Sequence, residues 1–142
     1  MWRLTRDEVL ALLKLTNCLL TGDHFVYTSG RHGDTYFEGK LLCVDPKVVV
    51  YLARHLARLC LSWVEQPINP IDPIDTLIAP PGDAIVLATA VALAMRRRTN
   101  RLVWLVCAEK SGDPNEHQFQ IDPVYAPRVT ACRTIIIDNV AT

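Results

Sequence analysis

The sequence predicts an α/β domain built on a parallel sheet, and three observations carry that prediction. Ile135, Ile136 and Ile137 stand in a row inside Arg133–Ile137, the pattern of a strand buried on both faces at the centre of a parallel sheet. Two further short apolar runs, Thr76–Ala79 and Arg101–Val106, read as core strands. Between them Ala84 to Arg97 is strongly apolar and long enough for a crossover helix. Strand, helix, strand, excursion and strand is a parallel order, whose crossovers are expected to be right-handed.

Bulk properties agree with one packed domain. The 142 residues suffice to bury about two thirds of the unfolded surface. Half of them are hydrophobic and 21% are charged, which excludes a disordered chain. Fifteen Lys and Arg balance fifteen Asp and Glu, so no basic excess marks a nucleic-acid binder, and phosphate recognition has to be local. The five cysteines, Cys18, Cys43, Cys60, Cys107 and Cys132, show no zinc spacing and are expected to be reduced thiols of a cytoplasmic protein. The first residues, Met1 to Glu8, are charged where a signal peptide needs an apolar run. No segment has the roughly 20 uninterrupted apolar residues of a membrane span.

The elements follow in order. Thr5 and Glu8 form a capping box ahead of a helix whose apolar set runs from Val9 to Leu20, and Gly22 is expected to end it. His24 to Phe37 reads as two short strands around a Ser29-Gly30 turn. Asp45 and Pro46 open a second helix with Val49, Leu52, Ala53, Leu56 and Cys60 on its apolar side. Pro67 to Pro73 carries three prolines and is a connector. Pro80-Pro81-Gly82-Asp83 is a sharp loop, and Arg96-Arg97-Arg98 ends the apolar helix. Ser111 to Pro127 is polar and proline-bearing, and is expected to be a long functional or mobile loop. Residues 1–44 therefore form a helix and hairpin unit, and 45–142 an α/β core, within one domain.

Two polar residues, Asp138 and Asn139, follow the isoleucine strand, at the end where open α/β sheets bind ligands. This strand resembles the phosphoribosyl diphosphate (PRPP) motif of type I phosphoribosyltransferases, which pairs two acids after a buried strand. Here the second acid is Asn139, and the sequence stops at Thr142, before the glycine and helix that continue the motif, so the motif is expected to be half present and the core incomplete. Gly22 to Phe37 resembles the hood segment of the orotate phosphoribosyltransferase branch. Ala79 to Ala84 resembles its pyrophosphate loop, and Cys107 to Lys110 the strand that leads into its catalytic loop. Together these cover nearly the whole chain in the family's order.

The resemblance implies a transferase that joins a pyrimidine base, orotate, to PRPP with release of pyrophosphate in pyrimidine nucleotide biosynthesis. It implies Mg²⁺ bound with PRPP, and a homodimer. Tyr36 and Phe37 would stack the base, and Thr28, Ser29 and Arg31 would contact it, Arg31 being suited to a carboxylate. The other reading of that segment is a hairpin with an aromatic core pair. Pro81, Gly82 and Asp83 would form a loop whose free N–H groups, ahead of the helix, face pyrophosphate. The family often holds this loop with a cis peptide, which Pro81 makes cheaper. An ordinary Pro-Gly turn is the alternative. Lys110 would pair with the diphosphate, and His117 would stand for the family's loop histidine, on a segment that otherwise reads as a solvated loop. Asp138 and Asn139 would hold the ribose hydroxyls, and Ala141 and Thr142 would begin the 5′-phosphate cradle, unless Asp138-Asn139 is only a strand-ending turn. Lys110 and Asp138 are the candidate catalytic residues.

Three positions depart from the family. Thr28 stands where many members have lysine, Asp83 lies near a usual lysine, and Asn139 replaces an acid. Each removes or reverses a charge that the chemistry uses. The same residues therefore also fit a non-catalytic nucleotide- or PRPP-binding regulatory module, or a related transferase for another base.

Overall fold

A computed structural model of the chain describes residues 5–27, 29–64, 74–111, 118–131 and 133–138. Helix α1 spans Arg6–Leu15 and starts at the expected capping box: the Glu8 N–H donates to Thr5 Oγ1 at 3.2 Å, and the Thr5 N–H donates to Glu8 Oε2 at 2.8 Å. It ends earlier than its apolar pattern predicts. Asn17 takes φ +54 and turns the chain, a conformation asparagine tolerates better than most residues. Gly22 is not a helix stop. At φ +84 it lies inside strand β1 (Leu19–Val26), where the register against strand β2 (His32–Phe37) shifts between Thr21 and Phe25. The two strands form the predicted antiparallel hairpin, and Ser29 lies in its turn.

A short 3-10 turn, Gly39–Cys43, leads to helix α2 (Pro46–Val64). Asp45 Oδ1 accepts the Lys47 N–H at 2.8 Å and Pro46 takes the first helical position, as the sequence suggests. The proline-rich connector lies outside the described residues. Strand β3 (Ile74–Ala79), helix α3 (Ala84–Thr99) and strand β4 (Trp104–Cys107) form a parallel crossover unit. Asn100 at φ +53 closes α3 by donating its N–H to the Arg96 carbonyl at 2.8 Å. The segment expected to be one long loop is partly ordered. Strands β5 (Glu109–Lys110) and β6 (Phe119–Gln120) pair as a short antiparallel ladder. A turn at Pro123–Tyr125 then leads into helix α4 (Ala126–Ala131), and strand β7 (Arg133–Ile136) follows. Asp122 starts that turn by accepting the Val124 N–H at 2.8 Å, a local cap within a polar composition.

The described sheet has the order β4-β3-β7, all parallel. The central strand is therefore β3, not the isoleucine strand. Leu77 and Ala79 face α2 and α3, packing with Ala53, Ala57, Leu87, Val91 and Met95. Ile78 faces the other way, with Val106, Ala108, Ile121 and Val129. An extra residue in β3 between Ile74 and Thr76 breaks the alternation, and so Ile74 joins the same cluster as Leu77. In β7 the isoleucines alternate faces: Ile135 and Ile137 join the α2/α3 cluster, while Ile136 is 67% exposed. Among the described residues the three isoleucines thus lie on an outer strand of the sheet, with one face covered. A second small cluster, Cys18, Leu42 and Val48 with Leu12, Leu13 and Phe37, joins α1 and the hairpin to the start of α2. No helix among the described residues is long and apolar enough to cross a membrane.

Candidate functional site

Because β3, β4 and β7 are parallel and in register, their carboxyl ends meet at one sheet edge. The register continues past the strands: the Ala108 N–H donates to the Ala79 carbonyl, and the Ile137 N–H to the Ile78 carbonyl, both at 2.8 Å. Three segments leave from this edge. Pro80 to Asp83 follows β3, Ala108 to Lys110 follows β4, and Asp138 follows Ile137. Residues distant in sequence, Pro81, Gly82, Asp83, Lys110 and Asp138, are delivered there by topology alone.

The Pro80–Asp83 loop enters α3 tightly. Gly82 has φ +104, which a side chain would strain. The Ile85 N–H donates to the Gly82 carbonyl and the Val86 N–H to the Asp83 carbonyl, each at 3.1 Å. Amides ahead of these lie before the first intrahelical bond, at the positive end of the helix dipole. Asp83 is the N-cap, yet its carboxylate accepts no capping bond. No peptide bond among the described residues is cis, so the loop turns on Gly82. The Cys43 thiol donates to the Asp83 carbonyl at 3.5 Å and ties the loop to the turn after the hairpin. Burial and the neighbouring Asp83 push that thiol up from its ordinary range.

Lys110 is exposed and pairs with Phe119 across the β5/β6 ladder, which the Ser111 N–H extends by donating to the Gln118 carbonyl at 2.9 Å. This ladder holds the base of the segment carrying His117. Asp138 is exposed at the sheet edge. Thr28, His117, Asn139, Ala141 and Thr142 lie outside the described residues.

The hairpin is a second group. It packs on α1 and the start of α2 and shares no extensive contact with β3, β4 or β7. Ser29 and Arg31 are exposed at its tip. Tyr36 stacks on Phe25, with ring centroids 5.6 Å apart. Phe37, one residue on, packs instead with Leu42 and Val48, because neighbouring strand residues point to opposite faces. Tyr36 and Phe37 therefore do not form one stacking surface. Sequence reasoning missed Tyr27. Its hydroxyl donates to the Thr35 carbonyl, its N–H donates to the Arg31 carbonyl at 2.8 Å, and together these fasten the tip. It also missed a cross-strand imidazole pair, His24 Nε2 to His32 Nδ1 at 2.8 Å.

Curated relatives carry the same family name. The chain is 34% identical over 92 residues to the orotate phosphoribosyltransferase of Pelotomaculum thermopropionicum, covering 65% of this chain and 43% of that protein. It is 33% identical over 92 residues to that of Heliobacterium modesticaldum, covering 65% of this chain and 44% of the relative. The chain thus spans less than half the length of these relatives. No family model matches. Among solved structures, orotate phosphoribosyltransferase from Francisella tularensis aligns with 94% of this chain and 56% of its own, at TM-score 0.60 and 18% identity. The enzyme from Aeropyrum pernix aligns with 80% of this chain and 56% of its own, at TM-score 0.53 and 18% identity. At such identities these structures speak for the fold alone. In its sequence the chain is thus similar to part of these orotate phosphoribosyltransferases, and in its fold to the solved structures of such enzymes.

Proposed function

We propose that this chain takes part in orotate phosphoribosyl transfer, contributing the PRPP edge and the base-binding hood. The reading rests on one observation above the others: the loop before α3, Lys110 and Asp138 leave the same edge of a parallel sheet, where such sheets bind ligands. In the reaction a pyrimidine ring nitrogen bonds to C1′ of PRPP. The bond from C1′ to the diphosphate oxygen breaks, its electron pair leaves with pyrophosphate, and the base gives up its ring proton. Lys110 would pair with the charge growing on the leaving diphosphate, and the N–H groups of Gly82 and Asp83 would receive it, with Pro81 shaping the turn. Asp138 would orient the ribose hydroxyls. Ser29, Arg31 and Tyr36 would hold the base, with Arg31 opposite its carboxylate.

Mg²⁺ suits this edge. Among the described residues no three His, Cys, Asp or Glu side chains converge into a cage. Mg²⁺ asks for less than that, one or two carboxylates beside phosphate oxygens and water, and Asp138 is an exposed carboxylate at this edge. Bound with PRPP, the ion would neutralise diphosphate charge. A homodimer and a reducing, cytoplasmic setting complete the proposal. The unpaired thiols of Cys18, Cys43, Cys60 and Cys107 fit that setting.

Thermal unfolding with PRPP and Mg²⁺, followed by orotate consumption, tests the reading. PRPP at a hundred times its Kd adds about 2.7 kcal/mol of stability. The shift should vanish in Lys110→Met and Asp138→Asn, and orotate should be consumed only by the parent chain. Binding without turnover would leave a PRPP-binding module, and absence of any shift in a cooperatively melting protein would refute the assignment.

A further inference from the structure

On the outer side of the helix layer, α2 and α3 enclose a groove of about 410 Å³ that the proposed reaction does not use. Its lining residues recur at helical spacing on both helices. Arg54 and Arg58 come from α2, Arg97 and Arg98 from α3, and Val50 and Leu93 flank a floor of alanines. Among the described residues none that lines it is acidic. Basic residues in the last turn of α3 complement its dipole, but Arg54 lies well inside α2, where the dipole asks for nothing. Four guanidinium groups around one cavity are matched by a phosphate, which their planar forks bind through paired N–H donors. The exposed Val50 and Leu93 over the alanine floor are matched by a flat or apolar body.

We infer that this groove binds a nucleoside monophosphate, with the phosphate among Arg54, Arg58, Arg97 and Arg98 and the base between Val50 and Leu93. The size decides for a small ligand. The volume lies in the range of small-molecule sites, about 300–1,000 Å³. One turn of a helix about 10 Å across already fills roughly 400 Å³, so a docking helix would gain only a single turn. The groove is separate from the candidate active site, since Arg97 lies about 20 Å along α3 from its N-terminal loop. This inference goes beyond the proposed reaction and does not depend on it.

The test is calorimetric titration of the full chain with uridine 5′-monophosphate, in a Lys110→Met, Asp138→Asn background that disables the sheet edge. Binding should persist there and weaken at least about tenfold on adding Arg54→Glu and Arg97→Glu. Uridine and inorganic phosphate should each bind at least about tenfold more weakly than the nucleotide. Should the charge reversals fail to melt cooperatively, Arg54→Gln with Arg97→Gln gives the same readout. Loss of nucleotide binding in the Lys110, Asp138 background alone would overturn the inference. So would phosphate binding as tightly as the nucleotide, or an acidic helical peptide binding with the same arginine dependence where the nucleotide does not. Failure here leaves the PRPP measurement untouched, and failure of the PRPP measurement leaves this groove untouched.

Discussion

Replacing Gly33 by alanine should destabilise the protein only while Tyr27 is present. A Cβ at Gly33 would overlap the Tyr27 hydroxyl and would come within 2.8 Å of Cζ and 3.1 Å of Cε2. The tyrosine ring must then swing away, breaking its hydrogen bond to the Thr35 carbonyl. That bond contributes about 0.5–1.5 kcal/mol, and crowding of this kind costs about 1–3 kcal/mol. Against this, alanine in a strand gains about 0.5–1 kcal/mol over glycine. The net is a loss of about 1–3 kcal/mol. In a Tyr27→Ala background the overlap is gone, and Gly33 carries no left-handed φ that would penalise alanine. There Gly33→Ala should be neutral or stabilising by up to about 1 kcal/mol. A double-mutant cycle by urea unfolding reads this directly, because a loss of about 2 kcal/mol moves the midpoint by about 1 M at an m-value near 2 kcal/mol/M. Equal effects of Gly33→Ala in both backgrounds would refute the packing argument, and with it the claim that Tyr27 fastens the hairpin tip carrying Ser29 and Arg31.

Leu77, fully buried on the central strand, should cost about 2–5 kcal/mol when cut to alanine, seen as a lower urea midpoint. An unchanged midpoint would show that β3 is not central. Burial, then the charge of Arg58, hold His55 below its ordinary value of 6.5, with Glu8 partly opposing. The unfolded chain therefore binds the proton first as pH falls. Stability should drop from about pH 6.5 downward until His55 itself protonates in the fold, and His55→Gln should flatten that drop; an identical pH profile would exclude the residue. Iodoacetamide should label exposed Cys107 well before buried Cys18 and Cys60, with Cys43 slowed by its raised thiol value. Peptide mass mapping that finds Cys60 labelled first would contradict the core.

Local signals were legible without the tertiary structure where chemistry acts over a few residues. The Thr5/Glu8 box, the Asp45-Pro46 start and the Ser29-Gly30 turn each settle a boundary through a bond between near neighbours. The end of α1 was misread because Leu20 extends the apolar pattern, while Asn17 decides the turn through a backbone conformation that periodicity does not register. The polar stretch after Lys110 was misread for a similar reason: two-residue strands and a one-turn cap leave almost no pattern.

The sequence by itself determined an α/β chain and its helix starts, because strand and cap chemistry are local. Tertiary structure alone decided that β3 and not the isoleucine strand is central among the described strands, since burial on both faces depends on what covers each face. It also decided that Phe37 serves the core while Tyr36 stacks on Phe25, and that Pro81, Lys110 and Asp138 share an edge. Parallel pairing brings strand ends together across long stretches of chain, and only the register of that pairing says which ends meet.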